Sequence, residues 1–407
     1  MPTKKIVLGV SGGIAAYKAC EVLRRLKDDG HDVVVVPTSN ALEFVGKATW
    51  EALSGNPVLT SVFESVDQVS HVNIGSTADL VVLVPATADL ISRVVTGRAD
   101  DLLTNVMLVA TCPKLVFPAM HTQMWTNAAT VENVEKLRSR GILVFNPASG
   151  RLTGKDSGPG RLPEPAEILA VIRSVLSDQT IVGKSAEQDL AGWKIAVSAG
   201  GTHEQLDPVR FIGNSSSGRM GVALARAAAM RGAEVTVVKA HVETEMPSSV
   251  TVQEVSSTAE LGAAIRSLAA DQDAIIMAAA PADFAARNVS PTKIKKTASD
   301  GLTLDLQQTE DVLAGLVKNR VQGQVLVGFA AETAVDEADL LLLGTAKLLR
   351  KGADLLVLNN VSDGQVFGAD DNSIIIINEA GIVEQAAGEK SVVAHHILDA
   401  VKAARSL

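Results

Sequence analysis

Apolar residues in the second half of the chain form two short runs, Ile195–Ser198 and Val235–Val238. Between them lie the glycines of Gly200–Gly201, a polar loop at Asn214–Gly218 and an alanine-rich stretch, Val222–Arg231, with helical spacing. This order predicts a strand, a glycine turn, a polar loop, a helix and a second strand.

The N-terminus follows the same plan. The apolar run Ile6–Val10 leads to the turn Ser11–Gly13, a helical pattern over Ala15–Lys27 and a second run at Val33–Val36. Free N–H groups and the helix dipole favour an anion where such a helix begins. The repeated plan therefore predicts two units that bind nucleotides or phosphates.

Strands and helices alternate along the rest of the chain, which predicts an α/β fold of two doubly wound, Rossmann-like domains with mainly parallel sheets. The further strands are expected at Leu80–Val84, Leu115–Phe117, Ile142–Phe145, Ala274–Ala278, Val325–Phe329, Leu355–Leu358 and Ile374–Ile377. The further helices are expected at Leu90–Ala110 (with an interrupted middle), Val131–Arg140, Ile168–Leu176 and Asp336–Lys351.

Polar turns follow four strands of the first half, at residues 11–13, 37–40, 85–89 and 118–121. Ligands of doubly wound sheets bind beyond the carboxyl ends of the strands. We therefore expect these turns to form a pocket at one edge of the sheet.

Glycine and proline are concentrated in Gly150–Pro165, which indicates either a functional flap or an ordinary solvated loop.

The polar segment Ser177–Gln188 is expected to be a linker. Because 407 residues are too many for one ordinary core, we expect two domains, residues 1–188 and 189–407.

Composition narrows the choice of partners. Hydrophobic residues make up 47% of the chain, charged residues 20%, and the formal net charge is −9. The net negative charge, and the lack of a Lys/Arg-rich run with interleaved aromatic residues, argue against a nucleic acid as the binding partner. The apolar runs are too short for a membrane span, and the N-terminus lacks a signal-peptide pattern. With only Cys20 and Cys112, no disulfide framework is expected, and we expect a cytoplasmic protein.

Neither glycine turn fits the dinucleotide pattern G-x-G-x-x-G. An acidic residue that binds ribose should also follow the second strand of each unit, but Pro37–Ser39 and Lys239–His241 stand there. An NAD(P)-dependent oxidoreductase is thus the weaker alternative, and a phosphate at each helix N-terminus is favoured.

Several motifs of the first half occur together. Taken alone, His71 is typical of a solvated histidine, and the Met and Trp residues after Pro118 are typical of a core. The combination resembles the flavin-containing cysteine decarboxylases over residues 4–175. The motifs are Ser11–Lys18, His71, Pro85–Ala88, Asp101–Asn105, Pro118–Trp125 and Gly158–Arg161.

This resemblance implies a flavodoxin-like domain with bound FMN, which would serve as electron sink for decarboxylation and then return the electrons. It implies that His71 is the base. The FMN contacts implied are Ser11, Gly12, Gly13, Thr38, Ser39, Thr87 and Ala88. The substrate contacts implied are Met120, His121, Met124, Trp125 and Arg161.

Two positions depart from that family. His121 stands where the family has Asn, and a His can still donate a hydrogen bond to a carboxylate. The family's flap Cys is replaced within Thr153–Lys155, so its proton donor is missing. Cys20 and Cys112 lie outside the flap and are expected to be helix or core residues.

Polar and basic residues of the second half suggest phosphate binding. The loop Asn214–Arg219 is either an anion cradle or a helix cap, and Lys293 and Lys295 are either a solvated face or a triphosphate clamp. In an extended segment these two lysines share one side. Lys347 and Lys351 share one helix face.

This half resembles phosphopantothenate–cysteine ligase. The motifs are Gly200–Thr202, Leu206–Arg210, Asn214–Gly221, Asp283, Lys293–Lys296, Phe329–Thr333, Lys347, Lys351 and Phe367–Gly368. Arg219 stands where many relatives have Lys, which keeps the charge but changes its geometry. Both halves together resemble the bacterial bifunctional decarboxylase/ligase family of coenzyme A biosynthesis.

The resemblance implies that the carboxylate of 4′-phosphopantothenate attacks CTP to form an acyl-cytidylate, which the cysteine amine then attacks. Lys293 would stabilise phosphoryl transfer and Asn214 the acyl intermediate, with Mg²⁺ held mainly through phosphates. The implied phosphopantothenate contacts are Asn214, Arg210 and Arg219. The implied CTP contacts are Gly201, Ser216, Ser217, Gly218, Asp283, Lys293, Asp311, Phe329, Lys347 and Lys351.

The resemblance also implies a homo-oligomer with trimeric flavin domains and dimeric ligase domains. Flavoproteins related to the first half also serve as regulatory subunits of phosphatases. Since the flap Cys is missing, a ligase with a catalytically weak regulatory flavoprotein domain remains the other alternative.

Overall fold

The structure, a computed structural model, describes residues 2–61, 70–152, 157–295, 302–361 and 371–405. The chain forms two compact units, Met1–Asp189 and Leu190–Leu407. Several positions named above lie outside the described residues: Thr153, Gly154, Lys155, Lys296, Phe367 and Gly368.

The first unit alternates strands and helices. Its strands are β1 (Lys5–Val10), β2 (Asp32–Pro37), β3 (Leu80–Ala86), β4 (Lys114–Pro118), β5 (Leu143–Val144), β6 (Ala148–Arg151) and β7 (Ser157–Arg161). Its helices are α1 (Ala16–Asp28), α2 (Lys47–Ser54), α3 (Ser70–Thr77), α4 (Ala88–Thr96), α5 (Leu102–Val109), α6 (Thr122–Trp125), α7 (Ala128–Ser139), α8 (Pro165–Ser177) and α9 (Thr180–Ala186).

Five parallel strands of this unit form one sheet in the order β2-β1-β3-β4-β5. This is the flavodoxin-like order, in which the chain reverses its direction of winding between β1 and β3. Every residue of β3 is buried, as expected for a central strand covered by helices on both faces. The carboxyl ends of β1 and β3 therefore define the binding edge.

Residues 150–165, predicted to be either a flap or a loop, include β7 and the end of β6, and these two strands pair as an antiparallel hairpin. Gly158 and Gly160 have φ angles of +152° and +154°, which L side chains rarely adopt. A Cβ on Gly160 would lie 2.2 Å from the carbonyl oxygen of Met120. The hairpin therefore packs closely on the Pro118–Trp125 segment.

Two predictions about this unit need correction. The helix expected over residues 90–110 is two helices, because Gly97 ends α4 in a left-handed conformation and Asp101 begins α5 with a capping box. The linker expected at Ser177–Gln188 is wrong. Residues 180–186 form α9, whose Ile181 side chain is fully buried and holds the segment against the unit.

The second unit is larger. Its strands are β8 (Lys194–Ala199), β9 (Glu204–Gln205), β10 (Phe211–Ile212), β11 (Glu234–Lys239), β12 (Thr251–Glu254), β13 (Ala274–Met277), β14 (Phe284–Ala286), β15 (Leu306–Gln308), β16 (Val325–Glu332), β17 (Leu355–Asn360), β18 (Asp371–Asn378) and β19 (Gly381–Glu389). Its helices are α10 (Arg219–Met230), α11 (Thr258–Ala269), α12 (Val312–Lys318), α13 (Glu337–Lys351) and α14 (Lys390–Arg405).

Eight strands of this unit form a sheet in the order β12-β11-β8-β13-β16-β17-β18-β19. The first six are parallel, as in a Rossmann-like sheet, and the last two are antiparallel. The order reverses between β8 and β13, so the loops after these strands meet at the crevice. The predicted fold class is confirmed in both units.

No helix within the described parts of the chain combines the length and the apolar character that crossing a membrane would require.

Candidate active sites

The turns after β1 and β3 are joined by one buried serine. The hydroxyl of Ser11 donates to the carbonyl oxygen of Pro85 at 2.7 Å and accepts from the backbone N–H of Thr87 at 2.9 Å. The hydroxyl proton is therefore engaged within the protein. In this structure the Ser11 side chain holds the Thr87 turn in place, which leaves backbone groups and neighbouring residues to contact a ligand.

The turn after β1 has no room for a side chain at Gly12. A Cβ on Gly12 would lie 2.4 Å from the Cβ of Asn40, whereas one on Gly13 would lie at an ordinary 3.7 Å from the Thr87 methyl group. Thr38 is 6% exposed, and its hydroxyl oxygen is buried without a hydrogen-bond partner among the described residues. A buried hydroxyl normally has a partner, so this one fits a polar ligand.

Thr87 and Ala88 begin α4 at the same edge. The Thr87 hydroxyl caps the helix by accepting from the backbone N–H of Leu90 at 3.3 Å. Ser39, which begins a short 3₁₀ helix, follows Thr38 after β2. We call the turn at Gly12 and Gly13 the glycine cradle. Together with Thr38, Ser39, Thr87 and Ala88, it suits an anionic group such as the phosphate of FMN.

His71 lies on α3 and is half-buried. Its Nδ1 atom is buried and has no hydrogen-bond partner among the described residues. A buried ring nitrogen in this situation can form a hydrogen bond with a ligand that comes within reach.

The predicted substrate segment is held between β3 and the hairpin. The backbone N–H of Ala119 donates to Ala86, and that of Met120 donates to Gly160, both at 3.0 Å. His121 is exposed and precedes α6, and Met124 is 47% exposed. Trp125 packs against the core of this unit.

Arg161, the last residue of β7, and Lys18 of α1 share one carboxylate. Arg161 donates to the carboxylate of Glu164 at 3.0 Å, and the Lys18 ammonium pairs with the other oxygen of that carboxylate, also at 3.0 Å. Arg161 is therefore placed at the hairpin by an ion-pair cluster.

Neither cysteine lies in the hairpin. Burial raises the pKa of the Cys20 thiol and that of the Cys112 thiol, the latter despite the nearby Lys114 ammonium. Both thiols are therefore protonated and unreactive at neutral pH.

The second unit contains a cavity of about 370 Å³ at the predicted crevice. It brings together most of the residues that the ligase resemblance implied. Those that line it are Asn214, Ser216, Ser217, Gly218, Arg219, Asp283, Asp311, Phe329, Lys347 and Lys351. Three of the implied residues do not line it: Gly201, Arg210 and Lys293.

The two lysines of α13 are fixed by carboxylates. Lys347 pairs with Glu332 at 2.7 Å, and Lys351 pairs with Asp311. Burial raises the pKa of Asp311, but the hydrogen bond from Lys351 and the backbone N–H of Ala314 lower it more, so the net shift is downward. The lysines are thus positioned at the cavity wall before a ligand arrives.

Asn214 is held beside the end of β13. Its amide nitrogen donates to the carbonyl oxygen of Pro281 at 2.8 Å. A Cβ on Gly201 would lie 2.7 Å from the carbonyl oxygen of Asn214, so only glycine fits there. Gly201 therefore shapes the loop that carries Asn214.

Arg210 contacts the segment that carries Lys293. Its guanidinium donates to the carboxylate of Asp207 at 2.9 Å and to the carbonyl oxygen of Ile294. Lys293 and Lys295 are exposed on either side of Ile294. In this structure Arg210 thus holds the Lys293 segment, a role that sequence reasoning missed.

Three buried polar residues of the cavity wall were also missed: Asn359, Asn372 and Lys390. They lie at the ends of strands or at a helix start that the pattern did not predict, so no motif singled them out. Within the described residues, no group of three acidic, His or Cys side chains could hold a metal ion.

Two family models and many relatives match this chain. The DNA/pantothenate metabolism flavoprotein C-terminal domain matches residues 190–404, and the Flavoprotein family matches residues 1–177. The coenzyme A biosynthesis bifunctional protein CoaBC of Mycolicibacterium smegmatis is 51% identical over 408 residues, covering 98% of this chain and 97% of that protein. The Escherichia coli K12 protein of the same name is 42% identical over 383 residues, covering 93% and 91%.

The chain belongs to the CoaBC family. The resemblance inferred from the motifs is thereby confirmed. The protein is a bifunctional enzyme of coenzyme A biosynthesis, a decarboxylase and a ligase, and its first half is a flavoprotein.

Proposed function

We propose that the second unit of this CoaBC enzyme ligates 4′-phosphopantothenate to cysteine with CTP, and that the first unit decarboxylates the product with FMN. The observation that carries the ligase half is the cavity that gathers Asn214, the Ser216–Gly218 loop, Lys347 and Lys351. The cavity combines the N-terminus of α10, where backbone N–H groups are available, with two lysine cations of α13, and this combination suits a triphosphate. The family membership supports this division.

In the ligase unit, Lys293 stabilises the transferring phosphoryl group and Asn214 the acyl-cytidylate. Arg219 and Arg210 serve phosphopantothenate, Arg210 also by holding the Lys293 segment. Mg²⁺ is bound mainly through the phosphates of CTP. The remaining nucleotide contacts are Gly201, Ser216, Ser217, Gly218, Asp283, Asp311, Phe329, Lys347 and Lys351.

In the decarboxylase unit, the glycine cradle, Thr38, Ser39, Thr87 and Ala88 hold FMN, which supplies an electron sink when bound. His71 exchanges the substrate proton through its half-buried imidazole. Met120, Met124 and Trp125 shape the substrate site. His121 and Arg161 contact the substrate carboxylate.

We further propose that the enzyme works in the cytoplasm as a homo-oligomer with trimeric flavin domains and dimeric ligase domains. The small-molecule substrates are 4′-phosphopantothenate, cysteine and CTP.

One assay tests both halves. Purified protein is expected to be yellow, and to release CO₂ and pyrophosphate when CTP, Mg²⁺, cysteine and 4′-phosphopantothenate are added. A colourless protein that ligates without releasing CO₂ would refute the decarboxylase half. A protein that ligates with ATP and not with CTP would refute the nucleotide assignment.

A further inference from the structure

A stack of three aromatic rings lies against the loop that carries Asn214. The imidazole of His203 is stacked between the ring of Phe211, with centroids 3.5 Å apart and planes 14° apart, and the imidazole of His241, with centroids 3.4 Å apart and planes 12° apart. His203 follows the turn after β8, Phe211 begins β10 and His241 follows β11. The stack therefore joins three segments of the second unit.

Backbone and side-chain contacts hold the two imidazoles of the stack. The backbone N–H of His203 donates to the carbonyl oxygen of Ser256 at 2.9 Å. The Nε2 atom of His241 lies 3.3 Å from the Ser256 hydroxyl. The backbone of His241 also exchanges hydrogen bonds with that of Gly201, at 3.1 and 3.2 Å. Ser256 thus contacts both histidines, which keeps their rings face to face.

The loop with Asn214 packs on this stack. A Cβ on Gly213 would lie 3.2 Å from the Cδ2 atom of His203, so the backbone directly before Asn214 is close to the imidazole. Further along the loop, the backbone N–H of Glu243, two residues after the third ring, donates to the carbonyl oxygen of Ser217 at 3.2 Å. Because Asn214 lines the ligase cavity, a shift of the rings would displace its amide from the cavity wall.

Stacking limits the positive charge that the two imidazoles can carry. One imidazolium is tolerated, because a cation is attracted to the face of a neighbouring aromatic ring. Two imidazolium ions with centroids 3.4 Å apart repel each other strongly, because no water separates them. Burial and the neighbouring His241 lower the pKa of His203, whereas Glu204 raises it, and the net shift is downward. His203 is therefore neutral at neutral pH.

Several charged side chains lie on the segments of the stack and on the neighbouring β12 and α11. They are Glu204, Arg210, Lys239, Glu243, Glu254 and Glu260. The Glu204 carboxylate accepts from the backbone N–H and from the hydroxyl of Thr258, both at 2.8 Å, and Lys239 pairs with Glu254 at 3.0 Å. Histidine is the side chain that ordinarily changes charge between about pH 5 and pH 8. The two imidazoles are thus the groups of this cluster expected to titrate there.

We propose that the stack of Phe211, His203 and His241 positions Asn214 for ligation, and that it does so only while at most one of its two imidazoles is positively charged. This inference rests on the proposed role of Asn214 in the ligase unit. A second positive charge drives the rings apart, which frees the backbone at Gly213 and lets Asn214 leave the cavity wall. Ligation is expected to slow as the pH falls, without a loss of CTP affinity.

The first test compares kcat for ligation by the full chain at about pH 7.5 and about pH 5. His203→Phe keeps a flat ring in the stack but leaves one imidazole, so the ratio of its kcat to that of the wild type is expected to rise by roughly 3- to 10-fold from the higher to the lower pH. Titration of the substrates cancels in this ratio. His396→Gln is the control, because His396 pairs with Glu384 outside the stack, and its ratio is expected to stay constant.

A second variant removes a ring and leaves both histidines. Phe211 is 48% exposed, so Phe211→Ala is expected to fold. Because the stack loses one side, kcat for ligation at about pH 7.5 is expected to fall by roughly 10- to 100-fold. KM for CTP is expected to stay unchanged, which separates misplacement of Asn214 from damage to the nucleotide site.

Hydrogen exchange of the peptide that covers residues 211–217 reports on the loop without any substrate. After correction for the intrinsic exchange rate, the wild-type loop is expected to exchange faster at about pH 5 than at about pH 7.5, and the His203→Phe loop is expected to exchange equally at both.

A kcat ratio of His203→Phe that is the same at both pH values, or a wild-type loop whose corrected exchange does not change, would overturn the inference. If His203→Phe does not fold, His241→Phe carries the same comparison, since it also leaves one imidazole. Loop exchange that responds as expected in a protein that does not ligate with CTP would instead overturn the proposed function and leave the effect of the stack on the loop intact.

Discussion

The carboxylate of Asp207 accepts a hydrogen bond from the backbone N–H of Ile294 at 3.1 Å. The same carboxylate accepts from the backbone N–H groups of Val209 and Arg210 at 2.8 and 2.9 Å. Arg210 in turn donates to the carbonyl oxygen of Ile294. Both backbone groups of the residue between Lys293 and Lys295 are thus fixed by one turn, which orients the two lysines.

We predict that Asp207→Asn lowers kcat for ligation. An amide presents only one acceptor oxygen, so the clamp on Ile294 weakens and Lys293 is misplaced. Misplacement of a catalytic group by about 1 Å costs on the order of 100-fold in rate. Pyrophosphate release with CTP, cysteine and 4′-phosphopantothenate measures the effect.

The control for this variant is Asp271→Asn, an exposed acid of the same unit. It is expected to ligate like the wild type, and both variants are expected to decarboxylate normally. A fall in decarboxylation that parallels the fall in ligation would indicate general unfolding and contradict a positioning role.

The lowered pKa of Asp207 makes the folding stability of the second unit depend on pH. Burial raises the pKa of Asp207, but hydrogen bonds from Val209, Ile294 and Arg210 lower it further, to about 2. The unfolded value is about 3.9, so the carboxylate stabilises the folded unit fully above that pH and loses this contribution as pH falls towards 2. The stability gap between wild type and Asp207→Asn is therefore expected to narrow from pH 6 to pH 3. A gap that is constant in urea unfolding would contradict the assignment.

If the second unit ligates and the first unit decarboxylates, as proposed, two variants should have opposite effects. Lys293→Gln removes the charge proposed to stabilise phosphoryl transfer, so ligation is expected to be abolished and decarboxylation spared. His71→Asn is expected to do the reverse. Separate assays with phosphopantothenate plus cysteine and with phosphopantothenoylcysteine distinguish them. Equal loss of both activities in either variant would count against two independent sites.

Sequence pattern predicted the elements whose signals are local. The run Ile195–Ser198, the glycines after it and the helix before Val235 all follow from spacing, and β8, α10 and β11 match them within a few residues. The converging turns also follow, since parallel strands place their carboxyl ends on one edge.

Residues that act through distant contacts could not be predicted in this way. Asp207 and Ile294 are 87 positions apart, and nothing in either segment signals the other. Sequence reasoning missed the helix α9 because its segment is mostly polar and shows no apolar periodicity. Ile181 is the one apolar side chain that it buries. Lys390 follows an exposed antiparallel strand, and only folding places it in the cavity wall.

The glycine cradle predicts a flavin-binding defect. Gly12 has no conformational requirement for glycine, yet a Cβ there would lie 2.4 Å from Asn40. Gly12→Ala is therefore expected to yield colourless protein with little decarboxylase activity and normal ligation. Gly183→Ala in α9, where no atom lies within 4 Å of the added Cβ, is the matched control and is expected to stay yellow. Equal flavin content in both variants would refute the cradle.

The missing flap cysteine raises the question of whether another thiol protonates the product. Cys20 lies in α1 and Cys112 just before β4, and burial raises the pKa of each thiol. Because neither lies in the hairpin next to Met120, the double variant Cys20→Ala/Cys112→Ala is expected to decarboxylate at the wild-type rate. CO₂ release and flavin absorbance measure this on the same sample. A double variant that keeps its flavin but stops releasing CO₂ would assign the proton donor to one of these thiols, and the single variants would then identify it.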